Sequence, residues 1–306
     1  MERPEAESRK PLAASAMLPG MAGKPRVAIV GAGNLGSALA RSLLHAGYAI
    51  EAVMVRSRGA SLGKAKQLAR QVGARAATDL SAVEARLVWF CVPDAAIASA
   101  ARLLAPTIEW KGRVAVHSSG ALGSDELAAL RRRGAAVASV HPLMTFVRRS
   151  RPSLRGVPFA IEGDGAAVRV ARRVVEDLGG LAYSIRKKDK AAYHAWGTFA
   201  SPLFTALLAT TEEVATLAGV SRKAARQRMI PILLQTLANY ASFGAAGAFS
   251  GPIVRGDVDT VKRHLHVLRG AGAGREVYVA LAASALRYLP AKNKKSIKRL
   301  LDFPTD

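Results

Sequence analysis

Cysteine is nearly absent: the chain of 306 residues has one, Cys91. A single thiol forms no internal disulfide, which excludes a disulfide-stabilised secreted domain and a zinc site built on cysteines. Cys91 lies in the apolar run 87–92, where no neighbour in sequence would lower the pKa of its thiol. We therefore expect a buried structural thiol rather than a reactive one, and no metal site.

Aromatic and acidic residues are also scarce. Aromatic residues make up 6%, and 22 Asp and Glu stand against 45 Lys and Arg, for a formal charge of +23. Such a charge attracts anionic partners, whether nucleic acid, a phosphorylated cofactor or an anionic substrate. The basic residues are spread along the chain without interleaved aromatic residues, and no nucleic-acid-binding motif is present. We expect an arginine-rich solvated surface rather than a nucleic-acid-binding protein.

Long hydrophobic runs are missing as well. Residues 1–23 are polar and contain proline, and we interpret them as a flexible N-terminal extension rather than a signal peptide. The longest apolar stretch, 195–211, contains Ser201 and Pro202 and ends at an acidic pair, which is typical of a buried helix rather than a membrane span. The expectation is a soluble, cytoplasmic protein with no membrane partner.

Strand and helix patterns alternate from Lys24 onward. Continuous apolar strands separated by helices predict a parallel sheet covered on both faces, that is, a doubly wound α/β Rossmann domain over 24–186. The strands are predicted at 26–30, 50–55, 87–92, 114–117, 137–141, 159–161 and 181–185. After residue 186 the pattern predicts only helices, at 189–217, 221–242, 258–269 and 276–288. An all-α C-terminal domain over 187–306, rich in Ala and Leu, would serve substrate binding and dimerisation.

A glycine motif follows the first strand directly and opens a helix. It reads Gly31-Ala32-Gly33-Asn34-Leu35-Gly36, which is G-x-G-x-x-G. The first glycine permits a tight turn, the second lets the backbone approach a pyrophosphate, and the third allows close packing of helix and strand. The helix N-terminus adds free N–H groups and the positive end of its dipole. All six residues are predicted to bind a dinucleotide.

The end of the second strand predicts which dinucleotide binds. NAD enzymes place Asp or Glu there to bind the ribose 2′-hydroxyl, but this chain has Arg56-Ser57-Arg58. Arginine presents a fork of donors suited to a 2′-phosphate. We therefore predict NADP(H), with the alternative that these are exposed loop arginines.

Three further strand ends carry candidate site residues. Val92 and Pro93 are predicted beside the cofactor, while Asp94 either caps a helix or contacts the cofactor. In a doubly wound sheet the ligand lies at the carboxyl ends of the strands. Polar side chains at the next two ends could therefore contact the nicotinamide or the substrate, or could serve the local structure: His117, Ser118, Ser119 and His141. A histidine there can donate a proton near neutral pH.

The helical half adds four candidates. Lys190 and His194 lie one turn apart on one helix face, where they could reach the interdomain cleft or could be a surface lysine and a packed histidine. Arg255, in the segment 251–257, is a candidate for binding a carboxylate or phosphate. Asp257 either joins that site or caps the following helix.

These motifs together resemble those of a known family. The chain is similar to Rossmann-like oxidoreductases that carry the C-terminal domain of unknown function 2520, through the segments GAGNLGSALA, WFCVPDAAI, HSSGALGSDEL, SVHPLMTF, YHAWGTFAS and GPIVRGDVDTVKRHL. The resemblance covers nearly all of 24–269. More distantly, the layout resembles pyrroline-5-carboxylate reductase, F420-dependent NADP reductases and prephenate dehydrogenase. These relatives imply a homodimer with catalysis between the two domains, but no substrate.

One departure from the family concerns the segment after Tyr193 and His194. Family members tend to have Asn soon after this pair, where this chain has Ala200-Ser201-Pro202. An Asn there would contact substrate or nicotinamide, so its absence weakens a carried-over role for this helix. Proline inside the helix also predicts a kink.

The sequence as a whole predicts an NADP(H)-dependent oxidoreductase. It would transfer a hydride between nicotinamide and a small, anionic carbonyl or imine compound in the interdomain cleft, with His141, His117 or Lys190 handling the proton. An alternative is a non-catalytic NADP(H)-binding redox sensor or scaffold. Nucleic-acid binding through the positive charge is the third reading.

Overall fold

The chain packs as two compact units. A computed structural model describes residues 23–56, 60–79, 81, 83–148 and 150–302. Cα packing divides the chain between Gly197 and Thr198. The predicted extension therefore lies outside the described residues except for Gly23.

The first unit is built on one eight-stranded sheet. Its strands are β1 (Val27–Val30), β2 (Ile50–Met54), β3 (Arg75–Ala77), β4 (Leu87–Phe90), β5 (Val114–His117), β6 (Ala136–Pro142), β7 (Pro158–Gly163) and β8 (Leu181–Ser184). They lie in the order β3-β2-β1-β4-β5-β6-β7-β8. The chain thus crosses over between β3 and β4, so that β1 and β4 become neighbours. Ligands of doubly wound sheets bind at such a crossover, outside the carboxyl ends of the strands.

Helices and short turns cover both faces of this sheet. They are α1 (Asn34–His45), α2 (Ala60–Val72), α3 (Asp94–Leu104), α4 (Ala128–Arg131), α5 (Gly165–Asp177) and α6 (Lys190–Thr198). Successive strand residues face opposite sides, so Trp89 packs into the core on one face and Phe90 into the core on the other. Both side chains are buried, which explains why the strand sequences are apolar throughout rather than alternating.

The predicted Rossmann sheet is confirmed, with one strand reversed. All neighbouring strands pair in parallel except β6 and β7, which are antiparallel. The described residues of the connection from β6 to β7 form no helix that would carry the chain back across the sheet, and β7 returns beside β6 in the opposite direction. Strand β3 was not predicted, because its three residues, Arg-Ala-Ala, form no apolar run.

The second unit is helical, as predicted. Its helices are α7 (Phe204–Thr216), α8 (Arg222–Ala248), α9 (Pro252–Arg255), α10 (Val258–Val267), α11 (Gly274–Tyr288) and α12 (Lys294–Asp302). A small core holds α10, α11 and α12 together through Val261, Leu265, Ala282, Ile297 and Leu301. Ser221 accepts a hydrogen bond from the Ala224 amide and is the N-cap of α8.

The helices differ from the sequence prediction at three points. The single helix predicted at 189–217 is interrupted by a π-helical turn, Phe199–Leu203, which contains the helix-breaking Pro202. The segment 251–257, for which no helix was predicted, contains the short helix α9. Helix α12 was not predicted, because its basic residues conceal an apolar face.

The boundary between the units lies after the predicted one at residue 186. Packing assigns the helix up to Gly197 to the sheet, because Lys190 and Tyr193 are buried in the first unit. Among the helices of the described ranges, none combines the length and the apolar character needed to cross a membrane.

Candidate cofactor and active site

The glycine motif packs tightly against the end of β4. Gly31 has φ +110°, and its amide donates to Met54 O at 2.7 Å. A Cβ added there would lie 2.4 Å from Cys91 O. Both the positive φ and the close contact require glycine at this turn.

The other two motif glycines have contrasting surroundings. A Cβ on Gly36 would lie 2.0 Å from Gly31 O, so the start of α1 depends on the missing side chain. A Cβ on Gly33 would meet no atom within 4 Å. Gly33 is the N-cap residue of α1, and no side chain caps this helix. Its first-turn N–H groups can therefore bind an anion, and the open space at Gly33 suits a pyrophosphate.

A cavity of about 360 Å³ opens at the crossover of the sheet. Gly31, Ala32 and Gly33 line it together with the predicted Arg56, Val92 and Pro93. Ser61 and Lys64 of α2 also line it, and sequence reasoning missed both. They lie three residues apart and so share one face of the helix that follows β2, which is the signal that could have found them. Ser57 and Arg58 lie outside the described residues.

Two predicted cofactor residues make contacts within the protein, and their roles in binding a cofactor stay predictions. Asn34 donates its side-chain amide to Phe146 O at 3.1 Å, and Leu35 packs against the hydrophobic core. Cys91 also lines the cavity as a buried thiol, and burial raises its pKa. This agrees with the expected structural role, because a protonated thiol is a poor nucleophile.

His117 is enclosed by its own loop. Its Nδ1 accepts from the Ser119 amide at 3.1 Å, which leaves Nε2 to donate to Gly123 O at 2.9 Å. The side chain is fully buried. Burial, reinforced by the charge of Lys190, lowers the pKa of His117 to about 4, against the opposing effect of the Gly123 carbonyl. His117 is therefore neutral at physiological pH, with both ring nitrogens occupied.

The neighbouring serines are bonded within the same region. Ser118 Oγ accepts from Trp89 Nε1 at 2.7 Å, and Ser119 Oγ donates to Asp94 at 2.8 Å. Both serines are buried. Asp94 is the first residue of α3 and makes no side-chain cap, so its structural use is this bond to Ser119. The bond ties the rim of the cofactor cavity to the end of β5.

Lys190 is the most unusual residue of the cluster. It is 1% exposed, and its Nζ donates to Ser119 O at 3.0 Å and to Ser139 Oγ at 2.7 Å. Burial lowers its pKa to about 8, partly offset by the charges of Glu162 and Asp94. A lysine with this pKa is cationic at neutral pH yet can release its proton readily.

A group of aromatic rings lies beside Gly120. His141 Nδ1 is 2.8 Å from Tyr193 Oη, and the rings of His141 and His194 meet edge to face at 6.1 Å. A Cβ on Gly120 would lie 2.9 Å from His141 Nε2 and 2.6 Å from His194 Cδ2. Burial and the charge of Lys190 lower the pKa of His141 to about 4, so it is neutral at physiological pH. Sequence reasoning missed Tyr193, which only the fold brings to His141.

Six predicted site residues thus lie in the first unit, while two lie in the second. His117, Ser119 and Lys190 share one hydrogen-bond network, Ser118 lies between the first two in the chain, and His141 and His194 meet beside Gly120. In the second unit Arg255 is the exposed last residue of α9. Asp257 caps α10 by accepting from the Thr260 amide at 3.1 Å and from its hydroxyl at 2.7 Å. The catalytic roles of Arg255 and Asp257 stay predictions.

Two family models match the chain, and their bounds differ from those of the two packed units. Residues 13–142 match the model of a Rossmann-like domain, and residues 157–285 match the domain of unknown function DUF2520. Curated proteins gave no significant sequence match.

Solved structures show the same fold at low sequence identity. An NADP oxidoreductase candidate from Bacteroides fragilis is 22% identical with a TM-score of 0.72, covering 85% of this chain and 97% of that one. An imine reductase from Pseudomonas sp. is 24% identical with a TM-score of 0.63, covering 87% and 94%. A reductive aminase from Aspergillus terreus, in complex with NADPH and ethyl-5-oxohexanoate, is 17% identical with a TM-score of 0.64, covering 90% and 99%.

Proposed function

Since this chain joins a Rossmann-like domain to a DUF2520 domain, we propose that it is an NADP(H)-dependent oxidoreductase. Its substrate would be a small carbonyl or imine compound with an acidic group. The observation that carries the proposal is the adjacency of the glycine-lined cavity and the buried Lys190 network, linked through Asp94 and Ser119. The names of the similar structures, an imine reductase and a reductive aminase, support the substrate class.

The residues of the cavity fit NADP(H). Gly33 and the uncapped start of α1 would hold the pyrophosphate, while Arg56 and Lys64 offer cations for a 2′-phosphate. No Asp or Glu lies among the described residues that line this cavity, so a ribose 2′-hydroxyl finds no carboxylate partner there. The cofactor would supply or accept the hydride.

Lys190 is the best candidate for the group that donates the proton to the substrate. In the reductive direction its ammonium would give a proton to the oxygen or nitrogen of the substrate as the hydride reaches the carbon, and water would then reprotonate the amine. His117 and His141 have pKa values near 4, so neither is a cationic acid at neutral pH. A neutral His141 could still donate a hydrogen bond and orient the substrate.

Paired calorimetric titrations of nucleic-acid-free protein with NADPH and NADH test the cofactor proposal. We expect NADPH to bind at least tenfold more tightly, a difference of about 1.4 kcal/mol. Arg56→Asp should remove this preference, while Arg132→Asp, at an exposed arginine that does not line the cavity, should retain it. Equal affinity for both dinucleotides would contradict NADP specificity.

Screening carbonyl and imine compounds with NADPH then tests the reaction. Turnover of any of them would support the oxidoreductase. Tight NADPH binding with no turnover across the panel would favour the alternative, a non-catalytic redox sensor or scaffold, in which the replacement of the family Asn would have removed activity.

We also propose that the chain forms a homodimer through α8. Only Ala225 among its 27 residues is buried, although the helix is rich in apolar side chains. Ile230, Leu234 and Leu237 lie on one side of the helix, and Ile232 and Phe243 lie on the opposite side. A helix with apolar residues on opposite sides needs covering from more than one direction, which a second copy of the chain can supply.

A further inference from the structure

A second cavity, of about 290 Å³, shares Ala32, Gly33 and Lys64 with the first. Four cationic side chains line it: Arg41 of α1, Lys64 of α2, and Arg148 and Arg151 of the β6–β7 connection. Gly33 and Asn34 complete the wall on the side of the motif. We call this space the arginine cavity. The sequence alone gave no reason to separate its arginines from an ordinary solvated surface.

The positive charge in the arginine cavity is not balanced by the protein. No Asp or Glu lies among the described residues that line it, and within the described chain no ion pair joins its four cations to a carboxylate. The Arg41 side chain donates to the neutral Gln71 Oε1, at 3.4 Å. Burial and the nearby charge of Arg151 lower the pKa of Arg41, so the two guanidinium groups repel each other in the free protein. An anion placed between them would relieve this repulsion.

A neighbouring cavity of about 420 Å³ shares Arg41 and Arg151 and contains one carboxylate, Asp177. That carboxylate is engaged elsewhere, because it accepts from Tyr48 Oη at 2.7 Å and lies 3.7 Å from Lys24 Nζ. It therefore leaves the charge of the two arginines unbalanced.

We infer that the arginine cavity binds a phosphate group, at a position distinct from the 2′-phosphate site beside Arg56. Several converging Arg and Lys donors suit the multiple oxygens of a phosphate better than a single carboxylate. Asn34 Nδ2 donates to Phe146 O and so fastens the β6–β7 connection, with its arginines, to the glycine motif. The phosphate comes either from the dinucleotide itself or from a separate phosphorylated ligand, since Gly33 and Lys64 line both cavities.

Calorimetric titration of the full chain with inorganic pyrophosphate tests the site. We expect binding that weakens as salt rises, and that becomes about tenfold weaker in Arg151→Gln, as expected for the loss of one charged hydrogen-bond donor. Arg148→Gln should show the same effect, while the control Arg132→Gln should bind as the wild type does. Arg148, Arg151 and Arg132 are all exposed, so their substitution should not disturb folding.

Repeating the titration with saturating NADPH identifies the source of the phosphate. Loss of pyrophosphate binding would assign the site to the phosphates of the dinucleotide, and retained binding would assign it to a second ligand. If the wild type does not bind pyrophosphate, or if Arg148→Gln and Arg151→Gln bind it like the wild type, the inference is wrong. A third outcome is that the wild type binds pyrophosphate through Arg151 but fails to bind NADPH. That result would uphold this site and overturn the proposed cofactor.

Discussion

Gly33 and Gly36 lie three residues apart in one motif, yet an added methyl group would meet open space at one and a carbonyl oxygen at the other. Gly36→Ala should therefore destabilise the fold by about 1–3 kcal/mol, as overpacking does. Gly33→Ala should unfold like the wild type but bind NADPH much more weakly, because its methyl group would occupy the space of the pyrophosphate. Thermal unfolding and calorimetry on both variants measure the contrast, and unchanged NADPH affinity in Gly33→Ala would contradict it.

The pKa of Lys190 makes the reaction depend on pH. Its pKa in the folded protein, about 8, lies below the ordinary 10.5, so the ammonium persists below pH 8 and is lost as pH rises through 8. For any substrate that is turned over, kcat/KM for reduction should fall above pH 8. Lys190→Met should lose this dependence together with about 10²–10⁴-fold in rate.

Lys188→Met is the matched control for this experiment, since Lys188 is exposed and lies on the adjoining turn. It should retain both the rate and the pH profile. If the Lys190→Met enzyme still showed the fall of kcat/KM above pH 8, another group would be the proton donor.

Much of the candidate cofactor cavity could be predicted from the sequence, because its residues are contiguous or follow a strand at a fixed distance. The motif from Gly31 and the arginine at position 56 are of this kind, and both line the cavity. The candidate active-site cluster around Lys190 is different. Sequence places His117, Ser118 and Ser119 at a strand end, but only the structure shows that their polar atoms bond within the protein. Tyr193 reaches His141 across 52 residues of chain, which no local pattern can reveal.

Helix α12 illustrates packing at the level of a whole element. Ile297 is fully buried and Leu301 nearly so, and they attach the helix to Val261 and Leu265 of α10. Ile297→Ala should lower the free energy of unfolding by about 2–5 kcal/mol, because it leaves a cavity in a small core. Chemical denaturation measures the loss. Lys295→Ala, at an exposed position of the same helix, should change stability little, and a similar loss in both variants would show that the helix is not anchored by its apolar face.

The elements that the sequence predicted well are those with strongly apolar patterns, such as β4 and β5. The elements that escaped prediction have short or mixed patterns. Strand β3 has only three residues and gains its place by pairing with β2. The apolar residues of α12 lie among lysines and arginines, and this high charge hid the helical spacing of its apolar residues in the sequence. The reversal of β7 depends on the path of a connection, which local propensity does not encode.

At the scale of the molecule, the exposed apolar residues of α8 are the basis of the proposed homodimer. Leu237 is 53% exposed in the single chain, so a charge there should not disturb the monomer. Leu237→Asp should nevertheless convert a wild-type dimer into a species with the chain mass of 32.2 kDa, as measured by light scattering after size-exclusion chromatography. Gln227→Asp, at an exposed polar position of α8, should remain dimeric. A monomeric wild type would contradict the proposal.

The position of Cys91 gives this fold a natural probe of its own opening. Because the chain contains one cysteine, a thiol reagent labels a single site without any engineering. The thiol is buried beneath Gly36, whose added Cβ would lie 3.1 Å from Cys91 Cβ, and Cys91 also lines the cavity beside the glycine motif. A reagent therefore reaches it through that cavity or when the packing around it opens. The labelling rate under native conditions would report how often the thiol becomes accessible, and its slowing by a bound dinucleotide would report how fully the ligand covers it.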